Sequence, residues 1–238
     1  MIALIFTACA ALHAITADEI IEKLERNLVH STARIEGEMT VQDRFGEKRT
    51  TFISFAEGES KTLIEFTSPE EEGQKILRID DDIYLFFPDA EELIRMQGSA
   101  LRQSVLGSDM SYEDLTGGRE MKDSYNIVLE GIETVDGKEC YKCVLTAVKR
   151  NVPYPKQIMW VDKDLFMYRK VEQYSLSGRL LKEVSVLEMK RINSKVFPSR
   201  TLIKDAMKKK SQTVFSVEAI QVDISLPEDI FSLEELTW

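Results

Sequence analysis

The sequence predicts a mainly β protein of α+β class: a barrel or strongly curved antiparallel sheet with an amphipathic helix at its start and a short helical cover near its middle. Three observations predict it. Short runs of alternating apolar and polar residues recur through most of the 238 residues, punctuated by glycine, proline and aspartate. Residues 18–30 (DEIIEKLERNLVH) set Ile20, Ile21, Leu24 and Leu28 at helical spacing, with charges on the other side. Residues 99–115 (SALRQSVLGSDMSYEDL) interrupt the strand pattern with helix formers, a glycine and capping residues.

The first seventeen residues carry no Lys, Arg, Asp or Glu and end in small residues. They read as the apolar core and cleavage region of a secretory signal peptide, cut after Ala14 or Ala17. The stretch is too short to span a bilayer, which takes about 20 apolar residues. A second reading takes Cys9 as a lipoprotein cleavage site that would anchor the chain to a membrane. No later apolar run approaches spanning length and no Gly/Ser/Pro-rich linker divides the chain. The expected organisation is a leader over residues 1–17 and a single domain over 18–238, acting as a monomer.

After the first helix, Ile35, Gly37, Met39, Val41 and Phe45 alternate with polar residues up to the turn at Gly46. Residues 50–56 follow, with Ile53 and Phe55 on one side and Phe52 on the other, and residues 61–67 end at Ser68-Pro69. Residues 74–79 and 83–87 flank Asp80-Asp81-Asp82, which lacks the spacing and glycine of a calcium loop and reads as a solvated hairpin turn. Residues 91–96 add one short strand. The cover comes next: Leu101 and Val105 share a face, Gly107 breaks the pattern, and Ser108, Asp109 or Ser111 can cap a second piece. Two short helical turns joined at the glycine are expected, lying over the sheet as a lid; an ordinary crossover is the alternative. Strands return at residues 125–131, 138–148, 156–161, 166–174, 179–189, 196–204 and 212–224. The end, LPEDIFSL, reads as a turn whose Ile230 and Phe231 tuck into the core.

Chemistry-bearing motifs are scarce. Cys140 and Cys143 form a CxxC, but within an alternating strand they point to opposite faces about 10 Å apart, too far for a disulfide. No second CxxC or His cluster completes a zinc site. A net charge of −10 argues against a nucleic-acid surface, and Lys208-Lys209-Lys210 reads as a charged hairpin tip rather than a binding patch. The histidines are His13 and His30, so a Ser-His-Asp triad would have to use His30. There is no GxSxG elbow, phosphate-cradling glycine loop or HExxH. The nearest nucleophile is Ser108 beside Asp109, and Ser108 is equally well explained as a cap. No catalytic residue, cofactor or metal is implied.

Taken together, YLFFP (84–88), Arg95, GSDMSYEDL (107–115), GKECY (137–141) and residues 162–168 followed by Arg-Lys-Val resemble the LolA-like family of outer membrane lipoprotein-sorting proteins, in its broad branch. The resemblance implies an incomplete antiparallel barrel around a hydrophobic cavity, capped by helices, that shelters acyl chains in transit through the periplasm. It also implies lipoprotein or lipid cargo, an inner-membrane donor and an outer-membrane acceptor. Exposing an acyl chain of about fifteen methylenes to water costs on the order of 12 kcal/mol, so cargo of this kind needs an apolar concavity. The residue types nominate Phe52, Phe55, Phe66, Leu85, Phe87 and Trp160 as its lining. On the lid, Leu101, Val105, Leu106, Met110, Tyr112 and Leu115 would face the cargo, while Gly107, Ser108, Asp109 and Asp114 fix the lid's geometry. Three functions follow: a carrier, a membrane-anchored receptor or scaffold, and a lipid hydrolase using Ser108 or another hydroxyl.

Overall fold

A computed structural model describes residues 15–116, 121–150 and 152–237. The leader reading, Cys9 and His13 fall wholly or mostly outside these residues. Helix α1 (Ala17–Leu28) starts at a capping box, in which the Thr16 hydroxyl accepts from the Glu19 amide and the Glu19 carboxylate accepts from the Thr16 amide. Thirteen strands follow among the described residues: β1 (Thr32–Asp43), β2 (Gly46–Glu57), β3 (Lys61–Phe66), β4 (Lys75–Ile79), β5 (Asp82–Phe87), β6 (Glu92–Met96), β7 (Tyr125–Val135), β8 (Lys138–Ala147), β9 (Lys156–Asp162), β10 (Tyr168–Tyr174), β11 (Leu180–Ile192), β12 (Lys195–Asp205) and β13 (Gln212–Val222). Two single-turn helices, α2 (Tyr112–Leu115) and α3 (Met121–Ser124), lie between β6 and β7, and α4 (Leu233–Leu236) ends the chain. No described helix is long and apolar enough to cross a membrane.

All thirteen strands join one antiparallel sheet in the order β6-β5-β4-β3-β2-β1-β13-β12-β11-β10-β9-β8-β7. The sheet does not close: β6 and β7 are its two edges. In a flat sheet, β3 and β10 would stand roughly 30 Å apart, six strand spacings of about 4.8 Å. Yet Thr62 of β3 borders the same cavity as Val171 of β10. Only a strongly curved sheet brings them together, as the sequence predicts.

Alternation sorts the side chains onto two faces. On the concave side, Ile20, Ile21 and Leu24 of α1 are fully buried against Cys143, Leu145, Met159, Val161 and Val171. Each such side chain contributes about 1.5–3 kcal/mol, which is why the helix needs the sheet. The Asn27 amide ties it down further, donating to the Leu165 and Phe166 carbonyls at 2.9 and 3.0 Å while its oxygen accepts from the Val196 amide at 3.1 Å. The other half of the concave face holds Phe52, Ile64, Phe66, Ile76, Ile83 and Leu85, packed under the lid. The convex side of β2–β5 is covered by the chain's end, with Phe231 and Leu236 against Leu63, Leu77 and Phe86. Phe231 thus reaches a core, as the sequence suggests, but on the outside of the sheet.

One glycine is dictated by packing. The Phe52 ring stacks on Phe215, centroids 5.1 Å apart, by lying across Gly37. A Cβ on Gly37 would stand 2.6 Å from both the Phe52 ring and the Ser216 carbonyl oxygen.

Candidate functional site

The candidate site is the concave face and the segment that covers it. Between β6 and α2 the chain makes 3₁₀ turns at Gly98–Arg102 and Val105–Gly107. Gly107 ends the second, at φ +80°, and Leu106 before it also takes a left-handed conformation at φ 49°. A bridge from Ser104 to Ser111 and a hydrogen bond from the Tyr112 amide to the Gln103 carbonyl (3.2 Å) close residues 103–112 into a compact loop. The lid expected from the sequence is therefore two 3₁₀ turns and one α turn. Ser111 is the cap, in a reciprocal box with Asp114.

Two carboxylates fasten this loop to the sheet. Asp109, 1% exposed, accepts from the Thr213 and Ser211 hydroxyls, both at 2.8 Å, and from the Asp205 amide at 3.1 Å. Its own amide donates to the Thr213 hydroxyl. The Lys208 ammonium adds hydrogen bonds to the Gly107 and Ser108 carbonyls. At the other end, Asp114 accepts from the Tyr154 hydroxyl at 2.7 Å and pairs with Lys182, both nearly enclosed. Burial, together with the neighbouring Asp114 charge, drives the Tyr154 hydroxyl well above its ordinary range, so it stays a donor.

Beside α1 lies a cavity of about 450 Å³, bounded by Leu24, Leu28, Thr62, Met159, Val171 and Val184 among others. A second, of about 220 Å³, runs under Leu101 and Asp114 beside Arg78, Ile83 and Tyr154. Both are bordered by Met121, Gln157 and Gln173, so the two adjoin, the larger beside α1 and the smaller, with Arg78, Asp81, Glu113 and Asp114 on its border, beside the lid. A space of this kind can enclose an apolar chain at one end and hydrogen-bond a polar group at the other.

The nominated lining residues divide. Phe52 lies on the concave face, and Phe66, Leu85 and Phe87 touch Val105, Leu106 and Tyr112 of the lid, around a void of only about 10 Å³. Two sit elsewhere. Phe55 is on the convex face with Leu63 and Leu77, because it is three residues from Phe52 and therefore reversed. Trp160 faces away from Met159 and Val161; its indole donates to Glu133 at 2.8 Å and the Lys170 ammonium lies 5.2 Å from its ring. Sequence reasoning missed Met159, Val171, Val184, Gln157 and Gln173. Their alternation was readable, but the side of the sheet that α1 covers was not assigned from it. On the lid, Val105 is fully buried, Leu101, Leu106, Tyr112 and Leu115 pack onto the Phe52 cluster, and Met110 is half-buried.

The remaining candidates are structural in placement. Ser108 is fully buried, and its hydroxyl is engaged with the Met110 backbone at 3.2–3.3 Å. Cys140 and Cys143 are both buried free thiols, and burial pushes Cys143 up to about 11, leaving it unreactive at neutral pH. Asp80-Asp81-Asp82 forms the β4–β5 turn, with Asp82 paired to Arg95 at 2.5 Å. Asp162 organises the β9–β10 turn: it accepts from the Asp164 and Leu165 amides at 2.9 Å and from the Arg169 guanidinium at 2.6 Å.

The fold has solved counterparts. The chain is similar to a DUF1329 family protein from Desulfovibrio piger, with a TM-score of 0.85 and 22% identity over 94% of this chain and 100% of that one. A LolA superfamily protein from Nitrosomonas europaea gives 0.79 and 26%, over 93% and 100% of the two chains. A domain from Vibrio parahaemolyticus described as an outer membrane lipoprotein-sorting protein gives 0.84 and 20%, over 94% and 98%. No curated protein matches the sequence. A family model described as "-like: Uncharacterized protein" matches residues 58–238, from just after β2 to the last residue. The chain belongs to the family of that model, and its fold is LolA-like.

Proposed function

We propose that this is an exported, single-domain carrier that holds acyl chains of a lipid or lipoprotein under the lid and α1 and passes them from an inner-membrane donor toward the outer membrane. The cavity is the observation that carries the reading. Its larger part, about 450 Å³, lies in the range of ligand sites, roughly 300–1,000 Å³, and the adjoining part of about 220 Å³ adds to it. The apolar wall formed by Leu24, Leu28, Met159, Val171 and Val184 suits methylenes, and Gln157, Gln173 and Arg78 suit a headgroup or ester. The Nitrosomonas and Vibrio counterparts support the same class of role. Loading follows from displacement of residues 99–115, and transfer follows the difference in affinity between carrier and acceptor.

The buried, backbone-engaged hydroxyl of Ser108 counts against Ser108 as the nucleophile of the hydrolase reading. The test is native mass spectrometry of the protein from its own envelope, with lipid extraction and uptake of a fluorescent fatty acid. Copurified lipid and uptake are expected, with uptake reduced at least tenfold in Val184→Asp and in Leu28→Asp, whose side chain borders the cavity while 37% exposed. An empty protein that takes up no fatty acid overturns the reading.

A further inference from the structure

The end of the sheet beside the lid carries charge opposite to that of the chain. Strands β1 and β13 are neighbours, with Gln42 opposite Gln212, so the β1–β2 and β12–β13 turns project side by side. Together with Gly107 they border one open groove, bounded by Asp43, Arg44 and residues 208–211. Four cations gather here, Arg44 and Lys208–Lys210, although the chain's net charge is −10. Among the described residues, Arg44, Lys209 and Lys210 enter no ion pair, and Asp43 is occupied in capping the Phe45 and Gly46 amides at 2.7 and 3.2 Å. Each turn also raises an apolar side chain into solvent: Phe45, 81% exposed, and Met207, 51% exposed.

We propose that these paired turns dock the protein on an anionic membrane surface. Cations at headgroup level with an aromatic and a thioether at their tips are the combination that binds a negatively charged bilayer interface: charge attracts over about a Debye length and the apolar tips enter the acyl boundary. An acidic protein partner would use the cations but would leave Phe45 and Met207 without a counterpart. Lys208 links the surface to the lid through the Gly107 and Ser108 carbonyls, so docking presents the lid to the bilayer. The proposal stands whether or not the cavity holds lipid.

The experiment is cosedimentation of the full chain with phosphatidylglycerol/phosphatidylcholine vesicles and with vesicles of phosphatidylcholine alone. Binding is expected to the anionic vesicles only and to weaken with salt. Replacing Arg44, Lys209 and Lys210 with Gln should lower it about a hundredfold, roughly fivefold per cation, and Phe45→Ser about tenfold. All four positions are exposed, so melting temperature and fatty-acid uptake should stay at the parent level, which separates this result from failure of the cavity reading. Equal binding to neutral vesicles, parental binding by the triple variant, or no vesicle binding at all would overturn it, the last turning the patch to an acidic protein surface.

Discussion

Asp109 and Thr213 bond each other twice: the Asp109 amide donates to the Thr213 hydroxyl, and that hydroxyl donates to the Asp109 carboxylate, both at 2.8 Å. Both residues are essentially inaccessible to water, at 1% and 0% exposure. Buried polar groups that lose a partner cost about 1–3 kcal/mol, because water cannot take the partner's place. Thr213→Val should therefore destabilise the fold by about 2 kcal/mol in urea unfolding, and hydrogen exchange should rise first in residues 105–110. Unchanged exchange there would mean that this contact does not hold the lid.

The second fastening predicts a different pattern. Asp114→Asn removes the charge that Lys182 faces in a nearly closed site, and about 3 kcal/mol of stability should go with it. Combining it with Lys182→Met should restore part of the loss, since no buried cation is then left unpaired. Additive losses in chemical denaturation would count against a coupled pair.

Gly37→Ala should cost about 1–3 kcal/mol, the usual range for overpacking. The Phe52 ring can tilt away from the new methyl, whereas the Ser216 carbonyl oxygen belongs to the paired strand. Phe52→Leu in the same background should recover only part of the melting temperature, and full recovery would show that the ring alone was obstructing.

Acid sensitivity should centre on Asp162. Burial opposes its ionisation, but the Leu165 amide, Arg169 and the Asp164 amide outweigh it and hold the carboxyl below its ordinary range. A depressed folded value means that the stabilisation is complete above the unfolded value near 3.9 and is lost as pH falls through the folded one. The urea midpoint of the parent protein should thus fall more steeply below about pH 4 than that of Asp162→Asn. Parallel curves would remove Asp162 as the cause.

The capping box bears on processing. Cleavage after Ala17 would discard Thr16 and its two reciprocal hydrogen bonds with Glu19, whereas cleavage after Ala14 keeps them, along with Ile15, which packs against the α1 core. Under the proposed export, the intact mass of the processed chain should correspond to one beginning at Ile15, and Thr16→Ala should cost about 1 kcal/mol. A mass beginning at Asp18 would show that the cap is dispensable.

Local chemistry and the strong curvature of the sheet were legible, and which face of each strand borders the cavity was not. The α1 periodicity, the period-two strands, the Asp80–Asp82 turn and the Ser111 cap all depend on neighbours within a few residues, and the structure has each of them. The reversal between Phe52 and Phe55 was equally readable, yet which side encloses the cavity depends on where the chain's end and α1 come to rest. Trp160 went astray for the same reason: a large aromatic reads as interior until Lys170 and Glu133 are seen beside it. The Asp109 and Asp114 contacts join residues 104 and 68 positions apart, a range that no sequence periodicity encodes.

Because the sheet's open edges, β6 and β7, are consecutive strands, the lid leaves the sheet at one edge and the chain returns to it at the other. The cover is thus a strap anchored at both ends rather than a flap with a free tip. A strap held at both ends moves by bowing in its middle, where the Asp109 and Asp114 fastenings oppose it, and not by lifting at a tip.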